Sequence, residues 1–147
     1  MVYRDIGSYI EPVVSISQVD YDGSSEINGT EVDRVPEGDQ KYWSALALFT
    51  VDNGAADEAI DAVVEHSDTT TDGDFEELKD LGVIDYIQAD GTTLAAFRVD
   101  LETAKKYIRL RVKSEGQGDT DVGNADLTVI GHLILGGADR VPTDTPA

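Results

Sequence analysis

Short runs of apolar and β-branched residues, separated by turn residues, recur along the chain. They predict eight strands, at residues 13–19, 31–35, 42–51, 60–66, 84–88, 93–101, 105–113 and 127–135. Dipeptides that favour tight turns, such as Asn28-Gly29 and Asn53-Gly54, lie between them. Residues 75–81 are compatible with one helical turn, which is too short to shape the fold. This pattern predicts an all-β protein, an antiparallel β-sandwich or jelly roll of about eight strands.

The two ends of the chain differ from the part between them. Residues 1–12 and 139–147 hold few periodic apolar positions, so we expect an extended N-terminal arm and a C-terminal tail around one sandwich domain at residues 13–138. Four apolar residues of the arm have little reason to be there unless they dock on a partner: Tyr3, Ile6, Tyr9 and Ile10. We predict that they contact a partner, and a frayed terminus is the alternative.

The segment 42–51 is apolar at nearly every position instead of alternating with polar residues. It therefore predicts a central strand that is covered on both faces, with Trp43 buried in it. The turn pair Asn53-Gly54 ends this strand.

The charge balance narrows the classes of partner. The 147 residues include 30 acidic and 11 basic side chains, which gives a net charge of −19. The net charge of a small soluble domain is usually only about 2 to 8 in magnitude. Nucleic-acid binding is disfavoured, because it needs clustered lysines and arginines. The hydrophobic fraction of 40% is too high for a disordered acidic tail, so the carboxylates coat a real core.

Self-repulsion at this charge weakens in molar salt, where the Debye length is about 3 Å. We therefore hypothesise a protein made for concentrated salt, and an acidic protein of ordinary cytoplasm is the alternative. The chain contains no cysteine, which excludes disulfides, thiolate metal sites and a cysteine nucleophile. No apolar run reaches the ~18 residues of a membrane span, and no signal peptide of the usual form opens the chain, so we expect no membrane partner.

Few residues suggest catalysis. The two histidines, His66 and His132, are too few and too far apart in sequence for a zinc site. The run His66-Ser67-Asp68 holds the residue types of a catalytic triad, but neighbours in a strand point to opposite faces. We predict no catalytic residue, no metal site and no cofactor. Residues 68–74 fit a solvated turn, with loose cation binding as the alternative, and Asn28-Gly29-Thr30 fits a turn or a glycosylation acceptor.

The strand at residues 105–113 carries five of the 11 basic residues. Its alternation points one set of side chains to a single face: Lys105, Tyr107, Arg109, Arg111 and Lys113. One interpretation is ion pairing with acidic neighbours across the sheet, at about 0.2 to 1 kcal/mol per pair. The other is that this row, with Lys105, Tyr107, Arg109 and Arg111 as contacts, docks on an acidic surface of a neighbouring subunit. The two can coexist.

The order of these features resembles that of small jelly-roll proteins of tailed viruses, which serve as decoration, cement or minor capsid proteins. The similarity spans roughly residues 28–142, and its most specific parts are A-K-K-Y-I-R-L-R-V at 104–112 and L-I-L-G-G-A-D-R-V-P at 133–142. It implies a protein without enzymatic activity that forms a homo-oligomer, most often a trimer, at the capsid surface of the virion and braces the major capsid protein. The loops at 57–61 and 114–124 are long for the type. The acidity is also far beyond it, which fits a virus of a halophilic host such as an archaeon.

Two other classes of function stay open. A carbohydrate-binding β-sandwich module of a surface or adhesion protein would use exposed aromatic residues such as Trp43 or Tyr86. A small hydrolase would use paired carboxylates, but among 30 acidic residues no pair stands out.

Overall fold

The computed structural model describes residues 11–22, 25–35, 41–53, 59–85, 87, 91–114 and 127–137. Nine strands lie in these residues: β1 (Glu11–Tyr21), β2 (Ile27–Asn28), β3 (Val32–Asp33), β4 (Ser44–Asn53), β5 (Ile60–Ser67), β6 (Glu76–Ile84), β7 (Gly91–Asp100), β8 (Tyr107–Val112) and β9 (Leu127–Gly136). A 3-10 turn at Asp72–Asp74 precedes β6. In the described ranges no helix has the length and apolarity needed to cross a bilayer.

The strands form two antiparallel sheets. The first sheet has the order β1-β9-β4-β7, and the second has the order β2-β8-β5-β6, with β3 also paired to β8. The pairs β1–β9, β2–β8, β4–β7 and β5–β6 are nested inside one another, as in one long hairpin. Rolling such a hairpin distributes its strands over two facing sheets, which is a jelly roll. The predicted all-β sandwich of about eight strands is confirmed.

The core lies between the two sheets. On β9 every second residue from Leu127 to Leu135 is buried, and the residues between them are half-buried, as expected for a strand with one face on the core. The Phe49 and Phe97 rings meet edge to face, with their centroids 6.4 Å apart. Gly131 lies where the two sheets approach closely, because a Cβ there would lie 2.8 Å from the Leu110 Cδ1 atom across the core and would force that side chain to shift.

The ends of the domain lie partly outside the described residues. The arm residues Tyr3, Ile6, Tyr9 and Ile10 and the tail at 139–147 fall outside them. Strand β1 begins at Glu11, so residues 11 and 12, which the predicted arm includes, pair with Leu135 and Ile134 of β9.

Three local predictions are wrong. Residues 75–81 lead into and form part of strand β6 rather than a helical turn, because pairing with β5 supplies the backbone hydrogen bonds that an isolated turn lacks. Of the described residues within 84–88, only Ile84 lies in a strand, and of residues 31–35 only Val32 and Asp33 do. The segment 42–51 does form a central strand, between β9 and β7, but its outer face is half-buried instead of covered.

Candidate partner-contact surfaces

Strand β8 carries the basic row on the outer face of the second sheet. Ile108, Leu110 and Val112 are fully buried in the core, so Arg109 and Arg111, which alternate with them, point away from it. The predicted alternation is therefore confirmed for residues 107–112, whereas Lys105 and Lys113 of the basic row lie just outside the strand.

Arg109 lies in a nearly closed ion-pair site on that outer face. Its Nε and Nη2 atoms both lie 2.9 Å from Oε1 of Glu65 on β5, and its Nη1 donates to Oδ1 of Asp72 at 2.5 Å. The guanidinium also stacks on the Phe75 ring, 4.1 Å from the centroid. The side chains of Arg109 and Glu65 are each 7% exposed. Two charges removed from water this far depend strongly on each other, because each is the main buried counter-charge of the other.

The rest of the row is paired in the same way. Arg111 donates to Glu26 near β2 and lies 3.5 Å from Oε2 of Glu65. Lys105 Nζ lies 2.5 Å from Oε1 of Glu76, and Lys113 Nζ lies 3.9 Å from the carboxylate of Asp61. Cross-strand ion pairing, the first of the two interpretations, therefore holds for these side chains. Docking of Lys105, Tyr107, Arg109 and Arg111 on a neighbouring subunit stays a prediction.

His66 sits beside this network and is held as a neutral imidazole. Its Nδ1 accepts the backbone N–H of Lys105 at 3.1 Å, and its Nε2 lies 3.3 Å from Oε1 of Glu76. Burial lowers the pKa of His66 below its ordinary 6.5, although the nearby Glu76 carboxylate acts in the opposite direction. The hydrogen bond from Lys105 lowers the pKa of Glu76, and the same bond raises the pKa of Lys105.

The hydrogen bonds of His66 and Ser67 hold neighbouring segments of the backbone and side chains in place, and they do not form a catalytic triad. Both ring nitrogens of His66 are engaged by its neighbours, and the Ser67 Oγ accepts the backbone N–H of Thr69 at 3.0 Å. Across the described ranges, histidines and carboxylates form no group of three or more that could hold a metal ion.

Trp43 occupies a different place from the one predicted. It precedes β4 and is half-buried, with the Arg34 guanidinium 5.6 Å and the Lys41 ammonium 5.7 Å from its ring centroid. It lines a groove of about 500 Å³ on the first sheet, together with Arg98 and Asp100. Tyr86, the other aromatic residue considered for sugar binding, lies outside the described residues.

Arg34 is an important residue that the sequence pattern did not reveal. It is 5% exposed, and its guanidinium donates to the backbone carbonyls of Tyr42, Ala104 and Lys105 at 2.6 to 3.1 Å. These bonds join the segment after β3 to the turn between β7 and β8. The acceptors of these four bonds are main-chain oxygens, which no sequence motif marks.

A second feature that the sequence left unrecognised is the outer face of the first sheet. There Leu46 and Leu48 of β4 lie beside Ile134 and His132 of β9. All four side chains are half-buried. The continuous apolar pattern of the segment 42–51 was the signal for this face, but it indicated burial rather than exposure.

Comparison with known proteins identifies no family. No family model matches the chain, and no curated protein matches it. Among solved structures, a chain of infectious bursal disease virus strain Gx is 12% identical with a TM-score of 0.49, over 93% of this chain and 33% of that one. The VP2 subviral particle of infectious bursal disease virus gives 13% identity and a TM-score of 0.45, over 86% and 32% of the two chains.

The coat protein of Tobacco streak virus is 9% identical with a TM-score of 0.39, over 95% of this chain and 90% of that one. The chain thus spans about a third of the infectious bursal disease virus chains that it matches. With identities of 9–13% and TM-scores below 0.5, these similarities assign the chain to no family.

Proposed function

We propose that this protein is a structural component of a virus particle, a decoration, cement or minor capsid protein of a tailed virus with a halophilic host. In this proposal it assembles with copies of itself, in the trimer that the sequence resemblance implies, and braces the major capsid protein at the capsid surface. It acts by contacts and not by catalysis.

The observation that carries the proposal is a rigid jelly roll that leaves an apolar sheet face open. Val14 and Leu94 stand 46% and 65% exposed on the outer face of the first sheet. Exposed apolar patches on a stable domain mark surfaces that bind other molecules. The ion-pair network around Arg109 supports the same role, because it joins β5, β8 and the turn before β6 on the second sheet and leaves the first sheet free for contacts.

The acidic surface supports the halophilic part of the proposal. At a net charge of −19, two copies repel each other in dilute buffer, and molar salt removes most of that repulsion. Assembly of such a chain on a particle is therefore favoured where counter-ions are abundant.

Particles of the source virus, purified in molar salt, test the proposal. Mass spectrometry is expected to find peptides of this chain in stoichiometric amounts, and electron cryo-microscopy is expected to place its sandwich against the shell. Absence of the chain from intact particles would refute the proposal.

A carbohydrate-binding module is the second candidate, and the groove beside Trp43 favours it. Trp43, Arg98 and Asp100 line the same groove, which combines apolar walls with a few polar groups as small-ligand sites do. Trp43 is the one tryptophan of the chain, so its fluorescence reports on this groove directly. A saturable fluorescence change with a glycan, lost in Asp100→Asn, would support the module. An unchanged signal across a glycan panel would remove it.

A further inference from the structure

The outer face of the first sheet is apolar over three successive rows of side chains. The registers of β4 with its two neighbours, and of β1 with β9, align these rows. Eight apolar residues belong to them: Pro12, Val14, Leu46, Leu48, Leu94, Ala96, Ile130 and Ile134. In the described part of the chain, the large hydrophobic residues that are exposed are Val14 and Leu94, and both lie on this face.

The charges are arranged around this face instead of on it. Across the three rows, all within described strands, no aspartate or glutamate occurs, and Arg98 is the one lysine or arginine. Carboxylates begin at the next rows, with Asp20 and Asp52 at one end and Asp100 at the other. An apolar centre with a charged rim is the composition of a protein interface.

The net charge decides which partner fits. A chain with 30 acidic residues repels its own copies wherever carboxylates meet carboxylates. On this face two copies can meet over three rows that hold no carboxylate at all. We infer that a second copy of this chain packs on the outer face of the first sheet, centred on Val14, Leu48 and Leu94.

The size of the face fits a weak contact. Four strands at ~4.8 Å spacing and three rows at ~6.8 Å spacing cover about 400 Å² per copy, or about 800 Å² for two, which is below the size of stable interfaces and in the range of weak, transient ones. The inference rests on the proposed self-association. Because the same face of each copy meets the other, it specifies a two-fold contact between copies rather than a three-fold one.

This surface predicts a salt response opposite to that of the basic row. A contact made by Lys105 and Arg111 on acidic groups would weaken as salt screens it. Salt does not weaken the hydrophobic contact made by burying Leu94 and its neighbours. It does screen the repulsion between the two negatively charged copies. Association through the outer face of the first sheet therefore strengthens from dilute to molar KCl.

Sedimentation equilibrium of the full chain in dilute and in molar KCl tests the inference. Leu94 is mostly exposed, so Leu94→Asp and Leu94→Lys leave the core intact, which circular dichroism verifies. Both variants are expected to weaken self-association by about tenfold or more, because each loses the burial of one leucine. Because the two variants add opposite charges, a loss in both identifies apolar contact rather than charge repulsion. Thr103→Asp, an added charge at an exposed turn position outside the three rows, is expected to associate like the wild type.

Three results would overturn the inference: a wild-type chain that is monomeric in molar KCl, variants at Leu94 that associate normally, or association that weakens with salt. If a monomeric chain is still found in virus particles, the contact inferred here is wrong while the virion role stands. If the chain self-associates through this face but is absent from particles, the virion role is wrong and the contact stands.

Discussion

Arg109 on β8 and Glu65 on β5 face each other directly across the second sheet, and the arginine Nε donates to the glutamate Oε1 at 2.9 Å. Both side chains are shielded from solvent. Glu65→Gln leaves Arg109 with Asp72 alone, and Arg109→Gln leaves Glu65 with Arg111 at 3.5 Å. Each variant is therefore expected to lower the free energy of unfolding by about 1.5–3 kcal/mol, because a buried charge loses its principal hydrogen-bonded partner.

The double variant Arg109→Met/Glu65→Leu separates pairing from packing. It is expected to be more stable than either single variant, because it removes both buried charges together, while Asp72 is exposed and Arg111 keeps Glu26 as its partner. Lys106→Ala is the control, since this lysine is exposed and lies 3.8 Å from Asp33, and its urea midpoint should match the wild type. Additive effects in the double variant would contradict the view that the two charges act as one unit.

Gly131 is expected to be intolerant of any side chain. A Cβ there would lie 2.8 Å from the Leu110 Cδ1 atom and 3.2 Å from the Ile16 Cβ atom. Gly131→Ala should therefore destabilise the fold by about 1–3 kcal/mol through overpacking. Gly73→Ala is the matched control, because a Cβ at that position meets nothing within 4 Å. Equal urea midpoints for the two variants would contradict this prediction, because they would show that Leu110 and Ile16 move aside at no cost in stability.

The lowered pKa of His66 predicts a loss of stability on mild acidification. Burial holds the folded-state pKa below 6.5, so the unfolded chain binds a proton first as the pH falls through 6.5. Stability should drop below pH 6.5 until the folded state also protonates. Glu76 has a lowered folded-state pKa, so its contribution is lost only below its ordinary 4.5.

Urea unfolding at several pH values between neutrality and pH 4.5 measures this step. His66→Gln is expected to flatten the pH dependence, whereas His132→Gln, which removes the other histidine of the chain, should preserve it. A step that survives in His66→Gln would assign the effect to another group.

The acidic surface predicts that salt stabilises the fold. Unfolding by urea, which adds no ions of its own, should need more denaturant in molar KCl than in dilute buffer, because self-repulsion at −19 is screened. The triple variant Glu77→Gln/Asp85→Asn/Glu102→Gln changes exposed positions and moves the net charge from −19 to −16. It should be more stable in dilute buffer and gain less from salt. A midpoint that fell with KCl would mean that ion pairs such as Arg109 with Glu65 outweigh the repulsion.

The strands could be predicted because one face of each carries β-branched and apolar residues at every second position, as on β8 and β9. The error at residues 75–81 has a specific cause. Leu78 and Leu81 are skipped by the pairing of β6 with β5, with a register shift at each. Two irregularities three residues apart give apolar residues a helical spacing within a strand. Propensity could not reveal this, because the glutamates and lysine of the segment favour helix as well.

The sequence predicted which face of the sheet the basic side chains point to, but not which acidic residues they pair with. Alternation assigned Arg109 to the outer face, yet Glu65 and Asp72 come from elements 44 and 37 residues away, and only the rolled topology brings them together. The carboxylate-free face has the same origin, since it combines residues of four strands from distant parts of the chain.

The pairing of β1 with β9 joins residues more than a hundred positions apart, such as Val13 with Leu133. The nested hairpin therefore has a high contact order, and its outermost pair closes at the greatest cost in loop entropy. During synthesis, β1 and β4 leave the ribosome long before β9, the strand that lies between them in the first sheet. The nascent chain must keep two apolar strands apart until that central strand arrives, and its abundant carboxylates oppose premature aggregation over that interval.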